Sequence, residues 1–250
     1  MKIFITGFQR SGTSLLRHLF ELHPEVKKMW HETGMLKHGK NALYTAKVLH
    51  DPIPLNKKNR KGKLLTSSQF TVNFSLKDET WGEKIPYKST TIKKGYGGTL
   101  ISYCKLWNLY FGKEARIVHI IRHPLDVANS TKKIGYSRSI ITPIIQYKKI
   151  VPIIVNELKT FSNVIHVKYE DLLLNPKKTL NRLFKFCNLG YSDETVDKII
   201  NSDNIYWFGK IDKSRAFNYK KKIKEINIKR HKLNEIIPFL NKEIKGIKYD

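Results

Sequence analysis

The sequence predicts an α/β protein with three layers, α/β/α, built on one central parallel sheet. Three observations point there. Short apolar or β-branched runs at residues 2–6, 115–121 and 163–167 have the length and composition of buried strands. Stretches with apolar residues at helical spacing separate them, and strands alternating with helices imply βαβ units whose sheet is covered on both faces. The first strand runs directly into a glycine-bounded loop that opens a helix. A length of 250 residues suits a single domain over 1–250, with a core at 1–189 and a basic loop and helix at 201–250. A hydrophobic content of 40% and an aromatic content of 11% suffice for a packed interior and argue against disorder.

The opening run, MKIFITGFQRSGTSLLR, justifies the first three elements. Residues 2–6 form a strand, residues 7–12 a loop, and a helix starts near Thr13 and runs to about Leu22. Backbone N–H groups of such a loop and the positive end of the helix dipole converge on one point and favour an anion there. The spacing Gly7-x-x-x-x-Gly12, with Ser14 two residues on, is that of a P-loop, so the fold is expected to be P-loop NTPase-like. Thr13 stands where the P-loop lysine would stand, and a cation comes earlier, as Arg10. The loop suits an anion but lacks the lysine that reaches the terminal phosphates of ATP.

The remaining elements follow in order. Pro24 ends the first helix, and residues 26–30 read as a strand leading to His31-Glu32. Residues 41–50 suggest a helix, 51–78 a lysine-rich loop, and 81–87 a short strand end or turn. A helix is expected over 98–111 and a buried strand over 115–121, closed by Arg122-His123-Pro124. Pro124 fits the first turn of a helix over 125–133. Residues 139–160 are helical, with Pro143 and Pro152 expected to break or kink them. The strand at 163–167 leads into Tyr169-Glu170-Asp171-Leu172, and Asn175-Pro176 starts a helix to about Asn188. Ser192 is a plausible cap for a helix over 192–201. A basic loop over 209–222 and a last helix over 228–240 complete the chain.

There are 47 Lys and Arg against 21 Asp and Glu, a formal net charge of +26. A positive field favours anionic ligands, although the lysine enrichment is so uniform that sequence composition alone could produce it. Aromatic residues are not interleaved with the basic runs, which leaves specific nucleic-acid reading unsupported. Cys104 and Cys187 are isolated in apolar helical contexts; two reduced, buried thiols are expected, with a single disulfide left open. Neither has a metal-ligand partner at short spacing, so no metal site is expected. The chain enters its first strand at Lys2, with no leader-like run, and no apolar run reaches membrane-spanning length, so a cytoplasmic protein without a membrane span is expected.

Arg122 closes a buried strand, and Ser130 lies eight residues on, within the following helix. A guanidinium and a hydroxyl at the carboxyl end of a parallel strand suit a second phosphate. Together with the loop at 7–14, this pattern resembles the P-loop-like sulfotransferase family, enzymes that use 3′-phosphoadenosine 5′-phosphosulfate (PAPS). The run 7–14 is similar to the family's 5′-phosphosulfate loop, and Arg122 with Ser130 to its 3′-phosphate site. Val167-Lys168-Tyr169-Glu170-Asp171-Leu172 before Asn175-Pro176 is similar to its fourth core strand and exit. Arg10 to Arg17, followed by His23-Pro24-Glu25-Val26, resembles most the branch that contains the tyrosylprotein sulfotransferases. The resemblance weakens after about Asn201.

The resemblance implies roles. Arg10, Ser11, Gly12, Thr13, Ser14, Arg122, Ser130 and Tyr169 would hold PAPS, leaving 3′-phosphoadenosine 5′-phosphate (PAP) as product. Lys213, Ser214 and Arg215, in a basic segment that contains Gly209, would close the nucleotide site. Glu32, in Glu32-Thr33, would be the catalytic base, with His31 as its rival; Lys84, before Ile85-Pro86, and Arg10 would stabilise the transferring sulfuryl group. Fixed cations would then do without a metal what magnesium does in a kinase. The acceptor would be a hydroxyl compound, a saccharide, glycolipid or small molecule for preference; the basic surface also suits an anionic glycan or acidic peptide. Its pocket is expected from residues 34–82, 134–154 and 205–219, with Trp30, Trp81, Tyr87 and Tyr96 as candidate walls. Two other readings stay open at this level: a P-loop nucleotide-dependent kinase and a non-catalytic polyanion-binding module.

Overall fold

The computed structural model describes residues 1–31, 79–87, 96–202, 211–217, 233 and 235–249. The described elements, in chain order, are β1 (Lys2–Phe8), α1 (Thr13–Glu21), β2 (Val26–His31), β3 (Thr80–Tyr87), α2 (Tyr96–Phe111), β4 (Ala115–Ile121), α3 (Pro124–Lys133), α4 (Ile141–Leu158), β5 (Val164–Lys168), α5 (Tyr169–Leu174), α6 (Pro176–Phe186), α7 (Asp193–Ile200) and α8 (Ile236–Glu243). Short 3₁₀ turns occupy Gly112–Glu114 and Lys213–Phe217. The five strands form one sheet in the order β2-β3-β1-β4-β5, and every pairing is parallel.

The central strand explains the layering. Every residue of β1 is buried, and its side chains alternate between two cores. Phe4 and Phe8 face one that includes Trp107 of α2, Tyr147 and Val151 of α4, and Leu240 of α8. Ile3 and Ile5 face the other, with Leu16 and Phe20 of α1, Leu172 of α5, Leu183 and Phe184 of α6 and Val196 of α7. Helices thus cover both faces, as a buried parallel sheet requires. Cys104 and Cys187 are buried free thiols in opposite cores, and burial pushes both up to about 12.

Four expectations change. Residues 80–87 are a full interior strand between β2 and β1, not a strand end or turn. The sequence TWGEKIPY hides this because Glu83 and Lys84 are buried, each meeting a partner on its own face of the sheet. α4 runs unbroken through Pro143 and Pro152. Pro143 lies in the first turn, where no intrahelical N–H bond is lost, and Pro152 is accommodated inside the packed helix. β5 is a half-buried edge strand, since only β4 pairs with it. The last helix is α8 (Ile236–Glu243), later than expected; residues 218–232 lie outside the described residues, as do the expected helix at 41–50 and the loop at 51–78.

Candidate active site

The carboxyl ends of β1, β3 and β4 lie side by side, and the segments leaving them make the site. β1 ends at Phe8, and the turn that follows is fixed by backbone bonds: the Ser11 N–H donates to the Phe8 carbonyl at 3.0 Å, and Gln9 N–H to the Tyr87 carbonyl of β3 at 2.9 Å. Arg10 and Gly12 both have positive φ, 70° and 98°. At Gly12 a side chain is barred twice, by this φ and because a Cβ would stand 2.3 Å from the Tyr169 ring. Gly12 caps α1 without a side-chain bond, so the first-turn N–H groups keep the donor capacity and partial positive charge of a helix start. Thr13, in the P-loop lysine position, turns its side chain into the protein. Ser11 Oγ is buried and meets no hydrogen-bond partner among the described residues.

Three cations enter from three strands. Lys84 is 1% exposed, and its Nζ donates to Ser14 Oγ at 3.2 Å, joining β3 to the first turn of α1. Arg10 donates through Nε to Ser130 Oγ at 3.0 Å, so its guanidinium points across the loop toward α3. Arg122 donates to the Arg10 carbonyl at 3.3 Å, lies 3.9 Å from Asp126, and stacks over the Tyr169 ring at 4.3 Å from its centroid. Its Nε is buried with no hydrogen-bond partner among the described residues. Burial first, and then the charge of Arg122, lower the pKa of Arg10. Two guanidinium groups held this close repel each other, and an anion between them would relieve that.

All the proposed site residues but Glu32 can now be placed. The loop at 10–14, Lys84, Arg122, Ser130 and Tyr169 come together at the strand ends. His31 closes β2 in register with Lys84, while Glu32, its successor, lies outside the described residues. Lys213, Ser214 and Arg215 sit on a 3₁₀ turn that packs against α5. Arg215 bonds Asp212 at 3.1 Å, and its charge acts on the phenol of Tyr169, which burial raises and Arg122 and Arg215 lower. Two candidate acceptor walls are instead core: Trp81 packs edge-on against Trp107 and Phe111, and buried Tyr87 bonds His119 at 2.9 Å. Large aromatics at alternate strand positions are core by default, and β3 is an interior strand.

Sequence reasoning missed two residues that grip the exit of β4. Tyr147 of α4 donates its O–H to the Arg122 carbonyl at 2.8 Å. Glu170 accepts the His123 N–H at 3.0 Å; burial pushes its carboxyl up to about 7. Tyr147 carries no local motif, and Glu170 stands out only by following Tyr169.

The donor set fits a nucleotide bearing two separated phosphate groups: helix N–H groups, hydroxyls, one buried ammonium and two guanidinium groups. Among the described residues no group of three or more His, Cys, Asp or Glu could hold a metal ion, and no helix is long and apolar enough to cross a membrane.

Residues 111–193 match the model of the sulfotransferase family, about a third of the chain. No curated protein sequence matches the chain. Among solved structures, the sulfotransferase domain from the curacin biosynthetic pathway aligns over 97% of this chain and 98% of its own at 17% identity and a TM-score of 0.59. The sulfotransferase domain of the olefin synthase of Synechococcus PCC 7002 aligns over 88% and 87% at 17% identity, with a TM-score of 0.58. Mouse sulfotransferase SULT7A1, solved with PAP, aligns over 98% and 84% at 16% identity, with a TM-score of 0.52. The chain therefore has the sulfotransferase fold, and the matched segment, which carries Arg122, Ser130 and Tyr169, has the sequence pattern of that family.

Proposed function

We propose that this protein is a PAPS-dependent sulfotransferase that moves a sulfuryl group to an acceptor hydroxyl by in-line displacement. The observation that carries the reading is the gathering of Lys84, Arg10, Arg122, Ser14 and Ser130 around the loop that leaves β1, in a fold of this family.

PAPS would supply an activated sulfuryl group on a phosphate leaving group. The chain's residues then do three things. First-turn N–H groups of residues 11–14 and Ser14 bind the 5′-phosphate, while Arg122, Ser130 and the stacked Tyr169 ring bind the 3′-phosphate end, with Lys213, Ser214 and Arg215 covering it. Lys84 and Arg10 offset negative charge on the sulfuryl oxygens and the leaving oxygen, a contribution strengthened where water is excluded. Glu32 takes the proton of the acceptor hydroxyl. The register of His31 with Lys84 supports this assignment, because β2 ends at the same end of the sheet where Lys84 bonds Ser14. A saccharide, glycolipid or small molecule is the preferred acceptor, and the net charge of +26 suits an anionic one.

The experiment is calorimetric titration with PAP against ADP. The expected result is micromolar binding that depends on the 3′-phosphate and is lost in Arg122→Ala. Equal binding of PAP and ADP, or none of either, would overturn the proposal.

A further inference from the structure

The peptide unit between Arg122 and His123 is the first to leave β4, so its two polar groups must find partners outside the ladder. Both do, and from different elements. Tyr147 of α4 donates to the carbonyl, and Glu170 of α5 accepts the N–H. This fixes the plane from which the Arg122 side chain departs. Glu170 is 1% exposed, and its second carboxyl oxygen accepts the O–H of Tyr249 at 3.1 Å. Tyr249, in the segment after α8, is itself fastened. Asn241 of α8 donates to its carbonyl at 2.8 Å and accepts its N–H at 2.7 Å. Its ring meets His123 edge-on at 5.4 Å, and the Lys168 ammonium sits 4.3 Å from its centroid.

A buried carboxyl oxygen deprived of its partner must rotate or recruit water. Removing the Tyr249 hydroxyl would therefore loosen the grip on the His123 N–H, although Tyr249 makes no hydrogen bond or ring contact, among the described residues, to one assigned to the nucleotide. We infer that Tyr249, acting through Glu170, is a positioning residue for Arg122, and that the segment following α8 thereby sets the selectivity for a 3′-phosphorylated nucleotide. The selectivity half of this inference rests on the function proposed above; the positional half does not.

The test uses the full chain and the variants Tyr249→Phe, Glu170→Gln and Glu170→Ala. Calorimetry gives the PAP to ADP affinity ratio, and hydrogen exchange gives the protection of the His123 amide. In Tyr249→Phe, PAP affinity should fall roughly tenfold while ADP affinity stays within about twofold, because one hydrogen bond to a buried charged or polar group is removed far from the 5′ loop. Glu170→Ala should lose at least as much. Glu170→Gln should restore the wild-type ratio, since its amide oxygen accepts from His123 and its N–H groups reach the Tyr249 oxygen. A merely structural tie would lower the affinities for PAP and ADP together and show no rescue. An unchanged ratio in Tyr249→Phe overturns the selectivity half. Should wild type fail to distinguish PAP from ADP, the proposed function falls, and amide exchange decides the anchor: faster exchange at His123 in Tyr249→Phe supports it, and unchanged exchange refutes it.

Discussion

The two halves of the candidate site are built in opposite ways. The loop leaving β1 offers mainly backbone: N–H groups at a helix start, a left-handed Gly12 and one buried lysine across from it. The exit of β4 offers side chains, and these are held by Tyr147, Tyr169, Glu170, Asp126 and, at one remove, Tyr249. The first half is a local conformation that a few neighbouring residues can encode. The second is a placement that the rest of the molecule must supply. Backbone sites fail when the chain cannot adopt the turn, and side-chain sites fail when their supports are removed.

The sharpest way to break this contrast is at Lys84. Lys84→Met should lower turnover by about 10²-fold or more with a much smaller change in PAP affinity, because a fixed charge matters most where charge develops. A proportionate loss of PAP affinity would make Lys84 a binding group only. Glu32→Gln should cost on the order of 10²-fold in turnover and leave PAP affinity alone; near-normal turnover would move the base to His31. Gly12→Ala attacks the backbone half. It forces a side chain into a left-handed φ and against the Tyr169 ring, at a cost of roughly 2–4 kcal/mol in stability. PAP and ADP binding should weaken together, which titration and melting can check.

Arg122→Ala should separate the halves, weakening PAP by about 10²-fold and leaving ADP unchanged, since a charge-assisted contact to one phosphate is lost. Ser130→Ala should do the same on a smaller scale, by several-fold, as one neutral hydrogen bond is removed.

A pH dependence of stability is also expected from the buried groups around β4 and β5. Burial raises Glu170 to about 7, so its contribution is full below the unfolded value of 4.5 and is lost as pH rises through 7. His166, His119 and His123 are shifted the other way, chiefly by burial: His166 to about 4, His123 to about 3 and His119 well below its ordinary value. The stability from keeping them neutral is present above 6.5 and is lost as pH falls toward those values. Melting curves should show Glu170→Gln gaining on wild type between pH 5 and pH 8. His166→Gln should gain on wild type as pH falls below 6. Parallel curves for either variant would show that its group does not titrate in the folded protein.

The contrast between the halves also explains what could be read early. The β1 turn, and the places of Arg122 at a strand exit and Ser130 on the next helix, are legible in the sequence because their spacing is local: strand, turn and helix start within one βα unit. β3 reads as a strand end or turn because its buried Glu83 and Lys84 look like surface residues until their partners, Tyr103 and Ser14, are in place. Trp81 and Tyr87 read as pocket walls because nothing local shows that β3 lies inside the sheet. Nothing in the linear sequence joins Tyr249 to Glu170, or Tyr147 to Arg122.

The sequence by itself thus determined the parallel α/β order, the glycine-bounded turn at a helix start and the candidate cations, because helix starts, glycine conformations and strand exits are short-range properties of neighbouring residues. The tertiary structure decided where those cations point and what holds them. That a lysine from β3 reaches the first turn of α1, that Arg10 turns to Ser130, and that a tyrosine after α8 braces the Arg122 peptide are consequences of strand order and helix packing. Contacts between residues so far apart in the chain exist only once the sheet has closed and buried polar groups have had to find partners.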